Sequence, residues 1–138
     1  MSRIEIILAI DPGTKKCGYA VVDAKLKLKL KKVVSTKDLI VDIKEISHTY
    51  SIDKVVLGDG TNYKIIEAII KEKFPQLNIE LADEKFSTLK ARKRYFELYP
   101  PQGIFKFIPL SLRIPPCDYD DIVAVLLAEN YFESKISR

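Results

Sequence analysis

Three groups of acids stand at places where a fold could gather them. Asp11 follows the nearly continuous apolar run of residues 4–10, Ile-Glu-Ile-Ile-Leu-Ala-Ile. Asp83-Glu84 follows a second short apolar stretch, and Gly58-Asp59-Gly60 a third. Asp118 and Asp121 are three residues apart, a spacing that sets both on one side of a helix. Carboxylates within about 4–6 Å of one another repel unless a cation lies among them. Hard oxygen ligands of this kind suit Mg²⁺ or Mn²⁺. Two such ions about 3.5–4 Å apart activate water and stabilise the leaving oxygen in phosphodiester cleavage. What is missing narrows the chemistry further. The chain has one histidine, His48, and no Trp. A Ser-His-Asp, Cys-His or histidine-rich zinc mechanism would have to run through that one imidazole, which falls on a surface helix.

Each acid also has a structural explanation. An acid at a strand end is often turn chemistry, and acids at a helix N-terminus stabilise its dipole. Asp120 lies between the other two and points elsewhere, towards solvent.

The elements that must carry these acids can be read from periodicity. Residues 4–10 suit a central strand covered on both faces. Asp11-Pro12-Gly13-Thr14 is a turn signal, and Cys17 to Val22 returns as the second strand of a hairpin. Residues 25–34 alternate, with Lys25, Lys27, Lys29 and Lys31 on one face and Leu26, Leu28 and Leu30 on the other, which predicts a third strand. Leu39, Ile43 and Ile46 recur at helical spacing, with Ser35 or Thr36 as the cap. Lys54–Gly58 is a fourth strand. Tyr63–Phe74 is a helix with Ile65, Ile66, Ile69 and Ile70 on its apolar side, and Asn78–Ala82 is a fifth strand. Residues 87–98 are basic and helical. Residues 99–116 hold five of the seven prolines together with Phe105 and Phe107, and read as an ordered connector. Cys117 or Asp118 opens a last helix to about Ser134. Three meandering strands followed by alternating units imply an α/β fold, a mixed five-stranded sheet flanked by helices.

The 138 residues amount to a single domain spanning 1–138, with 47% hydrophobic residues and no repeat. No basic stretch followed by an apolar run and cleavage site opens the chain, and no apolar run is long enough for a membrane span. Cys17 and Cys117 are too few and too far apart for a disulfide framework, so a reducing cytoplasm fits best. A formal net charge of +4 and a pI near 9.0 permit a polyanionic partner without requiring one.

Ile10-Asp11-Pro12-Gly13-Thr14-Lys15-Lys16-Cys17-Gly18-Tyr19-Ala20 resembles the opening motif of the RuvC/YqgF (RuvX) branch of ribonuclease-H-like proteins. Asp83-Glu84-Lys85-Phe86-Ser87-Thr88 is similar to the Asp-Glu-Arg-x-Ser-Thr segment of YqgF proteins. Asp121-Ile122-Val123-Ala124-Val125-Leu126-Leu127 resembles the closing Asp-x-x-Ala-Ala helix, and Asp118 ahead of it resembles the paired acids of RuvC resolvases. The motifs keep the family's order and span nearly the whole chain. The resemblance implies a ribonuclease-H-like fold, dependence on Mg²⁺ or Mn²⁺, and an endonuclease acting on structured nucleic acid, either a Holliday junction or precursor ribosomal RNA. A junction needs two symmetric cuts, so that substrate would imply a homodimer. Asp11, Glu84, Asp118 and Asp121 become the expected catalytic carboxylates. The chain departs from the YqgF pattern at Gly58-Asp59-Gly60, where YqgF proteins carry Gly-[Leu/Phe]-Pro and RuvC proteins a catalytic Glu. Asp59 thus competes with Glu84 as a metal ligand.

The basic residues divide between two roles. Lys15 and Lys16 in the opening motif, and Lys90, Arg92, Lys93 and Arg94 after Glu84, are candidate phosphate contacts, although the second group equally suits a solvated helix face. The lysines of 25–32 either track phosphates or protect an edge strand, and the second reading is favoured. Phe105 and Phe107 fit burial better than base stacking. Two other classes compete with the nuclease. One is a nucleic-acid-binding module that kept the fold without catalysis. The other is a nucleotide-binding relative of sugar kinases and actin, whose phosphate loop also follows a strand with Asp-x-Gly-Thr. Those proteins need two such domains, and this chain holds one.

Overall fold

The computed structural model describes residues 4–60, 62–82 and 120–136, the last stretch with side chains from Val123 to Phe132. Its organising strand is β1 (Ile6–Asp11). β2 (Lys16–Asp23) pairs with it antiparallel, with Ala9 opposite Ala20 and Asp11 opposite Gly18. β3 (Leu28–Ser35) adds antiparallel to β2. Helix α1 (Leu39–Thr49) crosses over to β4 (Lys54–Gly58), which lies parallel to β1 with Ile10 opposite Leu57. Helix α2 (Tyr63–Lys73) leads to β5 (Ile79–Ala82), parallel to β4 with Gly58 opposite Ala82. The five-stranded sheet has the order β3-β2-β1-β4-β5. Helix α3 (Asp120–Ile136) closes the described chain.

The apolar run of β1 has a direct physical cause: both faces of the strand are covered. Leu8 and Ile10, with Val55 and Leu57, face α1 and α2 and meet Leu39, Ile43, Ile46, Ile66 and Ile70. Ile7 and Ala9, with Ala20, Val22 and Val56, lie beneath α3 and meet Ala124, Leu127, Ala128 and Tyr131. Large side chains of β1 such as Leu8 are completely buried, and each contributes about 1.5–3 kcal/mol through removal from water. The mixed five-stranded sheet flanked by helices is the expected architecture.

Three local expectations fail, each for a physical reason. β3 begins at Leu28 rather than Lys25, because residues 24–27 form a turn around Asp23. The Asp23 carboxylate accepts the backbone N–H of Lys25 at 2.9 Å and of Lys27 at 3.0 Å, and Leu26 takes a positive φ of 62°. Neither Ser35 nor Thr36 is the N-cap of α1; Asp38 holds that position, its N–H donating to Ser35 Oγ at 3.2 Å. Ile65 does not join the core: Ile66 and Ile70 are buried, and Ile65 is 59% exposed. The helix of 87–98 and the connector of 99–116 lie outside the described residues. None of the described helices is long and apolar enough to cross a membrane.

Candidate active site at the carboxyl edge of the sheet

β1, β4 and β5 run parallel, so their carboxyl ends share one edge. Ile10 opposite Leu57 and Gly58 opposite Ala82 bring Asp11, Asp59 and the end of β5 into one row. At about 4.8 Å between strands, the ends of β1 and β5 are about 10 Å apart.

Asp11 is half-buried at the last residue of β1. It has the parity of Ile7 and Ala9, the face covered by α3. The loop after it is tight. Pro12 is buried, and a Cβ built on Gly13 would overlap the Lys16 carbonyl oxygen, so only glycine fits there. The loop is held through its carbonyl oxygens. Thr36 Oγ1 lies 3.2 Å from both the Gly13 and the Thr14 oxygen, and Asn62 Nδ2 donates to Gly13 O at 3.2 Å. The Thr36 N–H donates to Lys15 O at 2.9 Å. Cys17 Sγ is 3.9 Å from Gly13 O and 3.5 Å from Thr36 Oγ1. Lys15 and Lys16 are exposed on this loop and at the start of β2.

Asp59 is exposed and has the other parity, that of Val55 and Leu57, whose side chains face α1 and α2. Its backbone is ordered despite the flanking glycines, because its N–H donates to Ala82 O at 2.8 Å. Ala82 itself packs against the cluster beneath α3. Glu84 stands two residues after Ala82 in sequence. Glu84 and Asp118 lie outside the described residues, as do Lys90, Arg92, Lys93 and Arg94, and nothing is described of the Asp121 side chain.

The course of α3 relates its first turn to Asp11. Tyr131 Oη donates to Glu5 Oε2 at 3.2 Å, and Lys54 Nζ sits 5.4 Å from the centre of the Tyr131 ring. Glu5 precedes β1 and Lys54 begins β4, so Tyr131 marks the amino edge of the parallel strands. Ten residues of helix back to Asp121 cover about 15 Å, and β1 from Glu5 to Asp11 covers about 20 Å. Ala124 and Ala128, fully buried on the sheet, lie along this path. Helix α3 leads back from Tyr131 across the face of the sheet whose parity Asp11 shares. Among the described residues, no three His, Cys, Asp or Glu side chains group closely enough to hold a metal ion. The donors the sequence brings to this edge are carboxylate oxygens, which fit a hard divalent cation.

Residues 5–103 match the model of the RuvX family, described as Holliday junction resolvase. The chain belongs to the RuvX family. It is a nuclease by that membership, with a ribonuclease-H-like fold. A Bacteroides thetaiotaomicron protein assigned as a pre-16S rRNA nuclease is 29% identical over 147 residues, covering 98% of this chain and 99% of the relative. RuvC of Thermus thermophilus in complex with a Holliday junction substrate superposes with a TM-score of 0.54 at 14% identity, over 96% of each chain. A second structure of Thermus thermophilus RuvC gives 0.53 at 11% identity, over 95% of this chain and 96% of that one. The two superpositions establish the fold.

Sequence reasoning found Asp11 and its turn, but it missed Asn62 and misread Thr36 as a helix cap. Their partners lie 49 and 23 residues away in sequence. No local pattern signals such bonds.

Proposed function

We propose that the chain is a divalent-metal-dependent endonuclease whose site is built from Asp11, Glu84, Asp118 and Asp121. The observation that carries this reading is the shared carboxyl edge of the parallel strands, at which β1 ends in Asp11 with the parity of the face that α3 covers. Bound Mg²⁺ or Mn²⁺ would supply a polarised water nucleophile and stabilisation of the leaving oxygen. Asp11 on β1 and the two acids near the start of α3 would hold that charge. Glu84 is preferred to Asp59 as the further ligand. Ala82, two residues before Glu84, packs on the α3 face, whereas Asp59 has the parity of the opposite face. Asp59 retains an accessory role, through a second metal or a bound water.

The proposed substrate is structured nucleic acid in the cytoplasm. The full-length relative supports precursor ribosomal RNA, and the family description supports branched DNA. Cleavage of a four-way junction would require a homodimer to make paired cuts. Lys15 and Lys16 on the exposed loop would meet phosphates beside the site, with Lys90, Arg92, Lys93 and Arg94 continuing the contact. Four-way junction DNA and precursor 16S ribosomal RNA, offered side by side with Mn²⁺, test the reading. Cleavage of one of them with Mg²⁺ or Mn²⁺, and little with Ca²⁺, is the expected result. Full activity in excess chelator would overturn metal dependence, and binding of both substrates without cleavage of either would favour a non-catalytic module.

A further inference from the structure

Asn62 makes an unusual use of its position. It stands at the N-cap of α2, where an Asn side chain ordinarily accepts a helix N–H. Here it makes no such bond. Its backbone lies in the left-handed region, with φ 72° and ψ 8°, and its carboxamide donates instead to Gly13 O at 3.2 Å. Asn is among the few side chains that tolerate this backbone region. The bond also falls where β1 and β4 part, although β2 still pairs with Asp11 through Gly18. The β1–β4 ladder ends at the pair Ile10–Leu57, one residue short of Asp11. Beyond that pair, the Asn62 amide links the loop leaving Asp11 to the segment leaving β4. Thr36 Oγ1 holds the same carbonyl from the β3 side.

From this juxtaposition we propose that Asn62 is a positioning residue for Asp11, fixing through the Gly13 carbonyl where the strand-end carboxylate sits relative to β4. The inference rests on the metal-dependent reading of the site given above. Oxygen ligands of Mg²⁺ tolerate little displacement around 2.0–2.1 Å, so a loop free to shift would weaken metal binding before it weakened folding.

Asn62→Gly in the full chain separates the two roles of the residue. Glycine is at home at a positive φ, so the thermal midpoint should stay level or rise while the amide donor is lost. Mn²⁺ affinity, read without substrate from the paramagnetic resonance of free Mn²⁺, should weaken about 10-fold. At saturating Mn²⁺, kcat should fall about 10- to 100-fold, with KM for the nucleic acid unchanged. Asn62→Ala loses the same donor but is strained at this φ. Its activity loss should match that of Asn62→Gly although its stability falls. Wild-type Mn²⁺ affinity and kcat in Asn62→Gly would overturn the positioning role while leaving the nuclease reading intact. A raised KM with unchanged kcat would overturn it in favour of a substrate contact. A wild-type protein that neither binds Mn²⁺ nor cuts would bring down the functional reading and this inference together.

Discussion

Asp11 and Asp23 are both aspartates at strand ends, yet they sit at opposite edges of the sheet because β1 and β2 run antiparallel. Asp23 lies opposite Ile6, and Asp11 opposite Gly18. At the amino edge the acid builds its own turn. Asp23 is 4% exposed, accepts the N–H groups of Lys25 and Lys27, and pairs with Lys29 Nζ at 3.6 Å. Burial pushes its carboxyl up, but the N–H groups of Lys27 and Lys25 and the Lys29 ammonium outweigh that and hold it below its ordinary value. At the carboxyl edge the turn after Asp11 is held by side chains from elsewhere, Thr36 and Asn62, acting on its carbonyls. Two acids in similar sequence settings thus have different work. One holds the backbone together; the other stands at the end of a loop that other residues hold.

Breaking the two acids separately tests that contrast. The largest effect is expected at Asp11. Asp11→Asn should lower cleavage about 1000-fold or more, on the view that loss of metal-based stabilisation is worth several kcal/mol. Fold and nucleic acid affinity should remain near wild type by thermal melting and gel shift. An Asn variant that cuts at the wild-type rate would remove Asp11 from the mechanism. Next in size is the comparison of Glu84→Gln with Asp59→Asn at saturating Mn²⁺. The Glu84 change should cost more, and the Asp59 change should also matter. A larger loss for Asp59→Asn would reverse the order and mean that strand parity does not decide the ligand.

Asp23→Ala should show the opposite profile to Asp11→Asn. Stability should fall by about 1–3 kcal/mol, because two backbone N–H groups lose a charged acceptor, while kcat per folded molecule stays unchanged. The folded-state pKa of Asp23 lies below its unfolded value, so its contribution to stability is complete above about pH 3.8. It is lost as pH falls through the folded value. Denaturant melts of the wild type and the variant should therefore differ most above that pH and converge below it. A constant gap at all pH values would show that the charge of Asp23 is not what holds the turn.

The smallest effect is at the tip of the same turn. Leu26 is 44% exposed and sits at a φ of 62°. Leu26→Gly should raise stability by about 1 kcal/mol, since a left-handed conformation is costly for a side chain with a Cβ. A loss on chemical denaturation would mean that the exposed leucine makes contacts worth more than the strain.

Much of this protein was written in short-range pattern. The double coverage of β1 was legible because a strand buried on both faces cannot carry alternating polar residues. Pro12-Gly13 announced the turn after Asp11, and the apolar spacing of Leu39, Ile43 and Ile46 announced the core side of α1. The lysine alternation misled at its start, because the Asp23 carboxylate captured the Lys25 and Lys27 N–H groups and curled those residues into a turn. Period-two spacing carries no information about such a competitor. Ile65 misled in a similar way, since apolar character does not reveal which side of a helix has a sheet beneath it. Acid identity at the strand ends could be read directly; the face each acid takes could not. Parity sets Asp11 under α3 and Asp59 on the other side, and parity depends on which strands pair and in what register. The bonds from Thr36 and Asn62 to the Asp11 loop belong to the same class. They join residues 23 and 49 positions apart, and only chain crossovers that close the sheet bring such groups within hydrogen-bonding distance.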